Sequence, residues 1–166
     1  MARADLGRRL GGLLRAVVRP TRRAPRATPV RSVEAAPAPG DEIGYTPQPD
    51  GHPDPGEVVW AWVPFDEGDG RGKDRPVLVI GRRGQHLLAL MLSSQDHDRD
   101  AADEARYGRY WTDIGPGPWD HRGRSSEVRL DRLLVLDPSG VRREGAALDR
   151  ARFDRVLAEA RRTQGW

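Results

Sequence analysis

The segment from Pro55 to Ser94 constrains the fold most. It reads PGEVVWAWVPFDEGDGRGKDRPVLVIGRRGQHLLALMLSS, and its blocks of Val, Ile, Leu and Trp, cut short by Gly, Pro and Asp, have the pattern of consecutive strands. Strands are expected over Glu57 to Val63, Pro76 to Ile80 and His86 to Ser93. Along the first, Trp60 and Trp62 fall on one side and Val59, Ala61 and Val63 on the other, so both faces need cover. A small closed barrel or a sheet with a helix laid over it meets that need. Gly81 to Gln85 is expected to form a short hairpin connection, with glycines where positive φ is required. Pro64 to Asp74 holds three glycines, four acids and no aliphatic residue, which describes a mobile loop beside the strands.

Composition bounds the rest. A chain of 166 residues that is 37% hydrophobic, with a mean hydropathy of −0.72, can bury one core of ordinary size and not two. One domain over 55–166 is expected behind an extension over 1–54. The absence of cysteine excludes disulfides and thiolate metal sites and is compatible with a reducing, cytoplasmic setting. No apolar run approaches the ~20 residues needed to cross a bilayer.

Charge is unevenly spread. Met1 to Arg31 carries nine arginines against Asp5, Ser32 to Pro55 carries five acids and no base, and the remainder has 19 of each sign. The basic pI of about 9.9 is therefore a property of the tail. In the extension, Leu6, Leu10, Leu13, Leu14, Val17 and Val18 recur at helical spacing among arginines. That describes a short basic amphipathic helix over 4–19, ended by Pro20, able to touch anionic lipid or RNA, or else a disordered arm. From Thr21 to Pro55 prolines recur as in a linker that builds no core.

Downstream, Gln95 to Tyr107 is dense in charge. Its Asp96-His97-Asp98 triplet lacks the second cluster that a metal site requires, so a solvated loop or short helix is expected and no metal. Arg109 to Ile114 reads as a strand, and Gly115 to Asp120 as a constrained turn that either buries Trp119 or presents it as a stacking platform for a base. Trp111 is expected in the core. Val128 to Leu136 supplies the last strands, Asp137 to Gly140 a turn, and Asp149 the N-cap of a helix from Arg150 to about Arg162. Phe153, Val156, Leu157 and Ala160 form that helix's buried stripe.

The order G-E-V-V-W, a Gly-rich loop, R-P-V-L-V-I and a strand ending L-S-S resembles the MazF/PemK toxins of bacterial type II toxin–antitoxin systems, in a longer, actinobacterial-looking branch. The run Ser126 to Leu133, Arg143-Glu144-Gly145 and the terminal helix fit the same family, so the likeness extends from Pro55 to Arg162. It implies a mainly β fold, a small SH3-like barrel with a C-terminal helix. It further implies a ribosome-independent endoribonuclease, an mRNA interferase that cleaves single-stranded RNA without metal or other cofactor and acts as a homodimer. The resemblance also implies a cognate antitoxin that silences it and joins it on operator DNA.

By the same resemblance Arg75 is the catalytic arginine of R-P-V, and Ser93 stands where the family more often has Thr. Such cleavage uses the 2′-hydroxyl as nucleophile and needs proton carriers, a usual role of histidine; His86, His97 and His121 are the candidates, and His97, nearest Ser93 in sequence, is the best of them. Phosphate binding needs local positive charge, for which Arg71, Lys73, Arg82, Arg83, Arg122, Arg124 and Arg129 are available, with Trp119 as the stacking surface. Arg71, Lys73, Arg82, Trp119 and Arg124 are the expected RNA contacts. A barrel that binds nucleic acid or a partner protein without cutting is the alternative.

Overall fold

The computed structural model describes residues 36–96, 101–142 and 146–166. The possible helix over 4–19, His97 and Arg143-Glu144-Gly145 lie outside them. The elements are β1 (Glu42–Ile43), β2 (Val58–Pro64), β3 (Gly72–Arg83), β4 (His86–Ser93), α1 (Ala101–Arg106), β5 (Trp111–Gly115), β6 (Ser126–Leu136), β7 (Val141–Arg142) and α2 (Arg150–Gln164), with a 3-10 turn at Pro138–Gly140. All strands join one antiparallel sheet in the order β5-β6-β4-β3-β2-β7, with β1 added to β3.

The apolar runs divide by side, as strand alternation requires. Val59, Ala61, Val63, Val77, Val79, Leu87, Ala89, Met91, Leu134 and Leu136 form one cluster, joined by Trp111 and Val141. All six strands of the β5-to-β7 path contribute to that cluster and no helix does, so the sheet curls around it as a small barrel. The other face gathers Val58, Leu78, Ile80, Leu88, Leu90, Leu92, Ile114, Val128 and Leu133 beneath Phe153, Val156, Leu157 and Ala160 of α2. Asp149 caps α2 by accepting from the Arg152 amide at 3.0 Å, and Gly165 ends it in the left-handed region at φ 74°. Both covers anticipated from the sequence are present together: the sheet curls around one face and α2 lies over the other.

β4 spans the expected residues, and β2 is displaced by one. β3 is longer than expected at both ends. Gly72 to Arg75 pair with Pro64 to Ala61 of β2, which zips up part of the anticipated loop and leaves 65–71, closed by a Phe65 amide to Arg71 carbonyl bond of 2.9 Å. At the far end Gly81, Arg82 and Arg83 pair with Leu88, Leu87 and His86, so Gly84 and Gln85 alone make the turn.

The linker expected to run to Pro55 needs correction. Chain from Asp41 onward is already part of the fold: Glu42 and Ile43 pair with Arg82 and Gly81 of β3. The approach is close enough that a Cβ on Gly81 would stand 2.4 Å from the Glu42 carbonyl oxygen, so only glycine fits there. Tyr45 packs on Phe153 with ring centroids 5.2 Å apart and donates its hydroxyl to the Leu148 carbonyl at 2.8 Å. Residues 41–55 thus form a strap over one end of the barrel. The charged stretch after β4 carries α1, which buries no residue. Among the described residues no helix is long and apolar enough to cross a membrane.

Candidate active site

At the barrel end opposite the strap, Arg75 and Ser93 lie two residues beyond the Val77–Met91 pair on adjacent strands. Val77 and Met91 both face the barrel interior, so alternation turns Arg75 and Ser93 to the same face, at its mouth. Both line a cleft of about 610 Å³ with Lys73, Arg124, His121 and Arg122. Both also line a second cleft of about 470 Å³ with Arg71, Arg109, Arg129 and Arg132. Because the clefts share Arg75, Ser93 and Gln95, they form one groove with the arginine at its waist.

Arg75 is half-buried and, among the described residues, makes no hydrogen bond or ion pair. Asp74, its neighbour, is taken by Arg142 at 3.1 Å. Burial holds the Arg75 guanidinium below the usual arginine range; Asp66 opposes that effect, and Arg129 and Arg132 add to it. The group keeps its proton at neutral pH, so a cation is held in the groove with its donors uncommitted. Ser93 is 7% exposed, and its Oγ accepts from the Gln95 amide at 3.1 Å. That bond occupies an oxygen lone pair and leaves the hydroxyl proton free to be donated into the groove.

The mouth is shaped by an irregularity in β6. Leu90 pairs with Leu133 and Leu92 with Val128, so where β4 has Met91 alone, β6 has residues 129–132. This bulge turns both Arg129 and Arg132 toward the groove that Met91 lines. They meet Asp66 from the 65–71 loop: Arg129 Nη1 is 2.9 Å from each carboxylate oxygen, Arg132 Nη1 is 3.1 Å from one, and Arg109 Nε is 3.2 Å from the other. Burial works against the charged form of Asp66, but the three arginines outweigh it and hold the carboxyl below its usual range. Arg129 is further bound to Asp131, with Nη2 to Oδ2 at 2.8 Å. In the empty groove its donors are thus committed to Asp66 and Asp131.

The sequence-derived candidates separate. Arg75, Ser93, Lys73 and Arg124 line the 610 Å³ cleft, with Arg124 steadied by Asp120 at 2.9 Å. Arg71 borders the second cleft, paired within its own loop to Asp69. Arg82 is corrected: it sits at the strap end of β3 and donates to Asp54 at 3.0 Å and the Pro53 carbonyl at 2.9 Å, far from the groove. His97 lies outside the described residues and His86 begins β4 at the strap end. His121 is the described histidine that borders the groove.

Trp119 is also corrected. The ring is 2% exposed, its indole N–H is donated to Ser126 Oγ at 3.0 Å, and a Cβ on Gly117 would stand 2.1 Å from it. With an aromatic face covered by Gly117 there is no platform for a base, and Trp119 belongs to the core behind the cleft. Trp119→Ala should therefore cost about 3–5 kcal/mol of stability, the range for emptying a buried aromatic site. Denaturant unfolding checks it; a loss of RNA affinity with stability unchanged would restore the stacking role.

A family model described as PemK-like, MazF-like toxin of type II toxin-antitoxin system matches residues 54–163, well over half the chain. The chain belongs to that family and is a toxin of the MazF/PemK type. Among solved structures, a chain from the crystal structure of MazE-MazF (Form-II) from Deinococcus radiodurans is 26% identical, covers 70% of this chain and 95% of its own, and superposes with a TM-score of 0.43. No curated protein matches.

Proposed function

We propose that this toxin is a metal-free endoribonuclease acting on single-stranded RNA, with Arg75 and Ser93 at the scissile phosphate. The observation that carries it is the uncommitted, half-buried Arg75 guanidinium on the same face as the Ser93 hydroxyl in an open groove. The 2′-hydroxyl of the target nucleotide gives up its proton to water and attacks the adjacent phosphorus, the bond to the 5′-oxygen breaks, that oxygen takes up a proton, and a 2′,3′-cyclic phosphate and a 5′-hydroxyl result. Charge accumulates on the non-bridging oxygens in the transition state. Arg75 meets it with a fork of N–H donors and Ser93 with its hydroxyl. An arginine is a poor base, so its contribution is charge stabilisation; His121, on the cleft wall, is the described group suited to carry a proton to the leaving oxygen.

Lys73 and Arg124 line the approach and hold flanking phosphates. A cognate antitoxin is the expected protein partner, with a homodimer as the active form, operator DNA as the joint target of toxin and antitoxin, and the cytoplasm as the setting.

Incubating residues 36–166 with a defined RNA in EDTA and mapping the product ends tests the route. Cyclic phosphate and 5′-hydroxyl ends are expected; binding without cleavage would leave a non-cutting module. Ser93→Ala should slow cleavage about tenfold, the weight of one neutral hydrogen bond, and Ser93→Thr should restore it. Equal rates for Ser93→Ala and wild type would take Ser93 out of the reaction.

A further inference from the structure

We propose that Arg109, Arg129 and Arg132 form a seat for a phosphate oxyanion, which the Asp66 carboxylate fills from within the chain and a phosphodiester of bound RNA takes over. The identity of the displacing ligand rests on the ribonuclease reading; the seat does not.

The geometry is that of anion recognition. Three guanidinium groups, two from the β6 bulge and one from the connection between α1 and β5, converge on a single carboxylate at 2.9 to 3.2 Å. Planar forks of this kind suit phosphate oxygens as well as carboxylate. Arg129 and Arg132 are 7% and 6% exposed, and cations so buried require an anion beside them. Arg129 has a second anion in Asp131 of its own strand, at 2.8 Å, but the carboxylate that all three arginines share comes from an exposed loop. Phe65 and Arg71 close that loop on itself, and Arg71 pairs with Asp69 inside it. Among the described residues every ion pair from the loop to the barrel is made by Asp66.

Exchanging Asp66 for another anion therefore releases the loop without disturbing the core. The seat lies in the cleft that also holds Arg75 and Ser93, so a strand with its scissile phosphate on Arg75 can bring a neighbouring phosphate to the bulge. Asp66 then has two effects: it keeps the buried arginines neutralised in the empty toxin, and it makes RNA displace a bound carboxylate before seating.

Asp66→Asn keeps the shape and removes the charge. In thermal unfolding, inorganic pyrophosphate should raise the Tm of Asp66→Asn well above its effect on wild type, and adding Arg132→Gln should abolish the difference. Equal shifts in wild type and Asp66→Asn would overturn the seat. A short single-stranded 2′-deoxy oligonucleotide, which cannot be cleaved by 2′-hydroxyl attack, tests the occupant. It should bind Asp66→Asn several-fold more tightly than wild type, because no carboxylate has to be displaced, with the slope of log affinity against log salt little changed because the same phosphate is seated in both. A pyrophosphate response with unchanged oligonucleotide affinity would overturn the phosphodiester as occupant.

Should Asp66→Asn fail to fold, Arg109→Gln on the partly exposed rim serves instead. It should flatten the wild-type slope by about 0.7, the value of one single-strand phosphate contact, with Tm little altered, and an unchanged slope would overturn the proposal. Wild-type cleavage is scored separately, so absent cleavage with an intact pyrophosphate response removes the ribonuclease reading and leaves the seat standing.

Discussion

Arg75→Ala should lower RNA cleavage by at least 10²–10³-fold, the range for losing a preorganised donor to a developing oxyanion, while the protein stays folded. The two halves of this expectation have the same cause. Among the described residues Arg75 has no hydrogen-bonded partner and no ion pair, so truncating it orphans no buried carboxylate. Burial depresses its pKa, which means that the folded state bears the charge at a cost relative to the unfolded chain. Alanine relieves that cost, and the melting temperature should hold or rise. A residue whose removal harms activity and spares stability is held for its chemistry. Single-turnover cleavage and thermal unfolding on the same preparations decide it. An unchanged rate removes Arg75 from the mechanism; a collapsed fold shows that its place is structural. Arg75→Lys should recover only part of the rate, because a point charge replaces the fork.

The second large effect concerns where the chain must begin. A protein starting at Pro55 lacks the strap and should lose about 3–5 kcal/mol, comparable with emptying a large aromatic site, or about 10–20 °C in Tm at the usual conversion for a domain of this size. A protein starting at Ala36 keeps the strap and should melt like the full chain. The loss has several sources. Tyr45 leaves Phe153 with an open face and the Leu148 carbonyl without its donor. Arg150, stacked 5.3 Å from the Tyr45 ring, loses its support. Gly81 and Arg82 lose a strand partner, and Arg83 loses Asp41, to which it donates at 2.6 and 2.7 Å. Tyr45→Phe isolates the hydroxyl and should cost about 1 kcal/mol. Equal melting of the two truncations would show that the strap contributes nothing.

The same strap shows where reading the sequence stops. Long apolar runs carry their own period, so β4 falls on the expected residues and the buried stripe of α2 on its expected four. β1 has two residues, and Ile43 and Tyr45 stand alone among prolines; no periodicity exists in so short a piece, and its stability comes entirely from contacts distant in sequence. Arg75 and Arg82 look alike on one strand, but seven residues at about 3.3 Å each set them at opposite ends of the barrel, and the cleft shared with Ser93 lies at the Arg75 end. Two signals were legible and missed. In Ser126 to Leu133 alternation fails where Asp131 and Arg132 stand side by side, which is the mark of a bulge. Gly117, two residues before Trp119, leaves room for the ring to fold back on the chain, which favours burial over display.

The strap and the β6 bulge give the molecule two unlike ends. Around the strap, Tyr45 and Ile43 pack on the apolar cluster beneath α2 beside the Arg82–Asp54 and Arg83–Asp41 pairs; around the groove the closure is mainly ionic, made by guanidinium and carboxylate. Strongly excluded salts tighten the first kind of closure and screen the second. A sulfate solution should therefore hold the strap end more firmly than the groove end, and the cleft lined by Arg75 lies at the end that salt loosens.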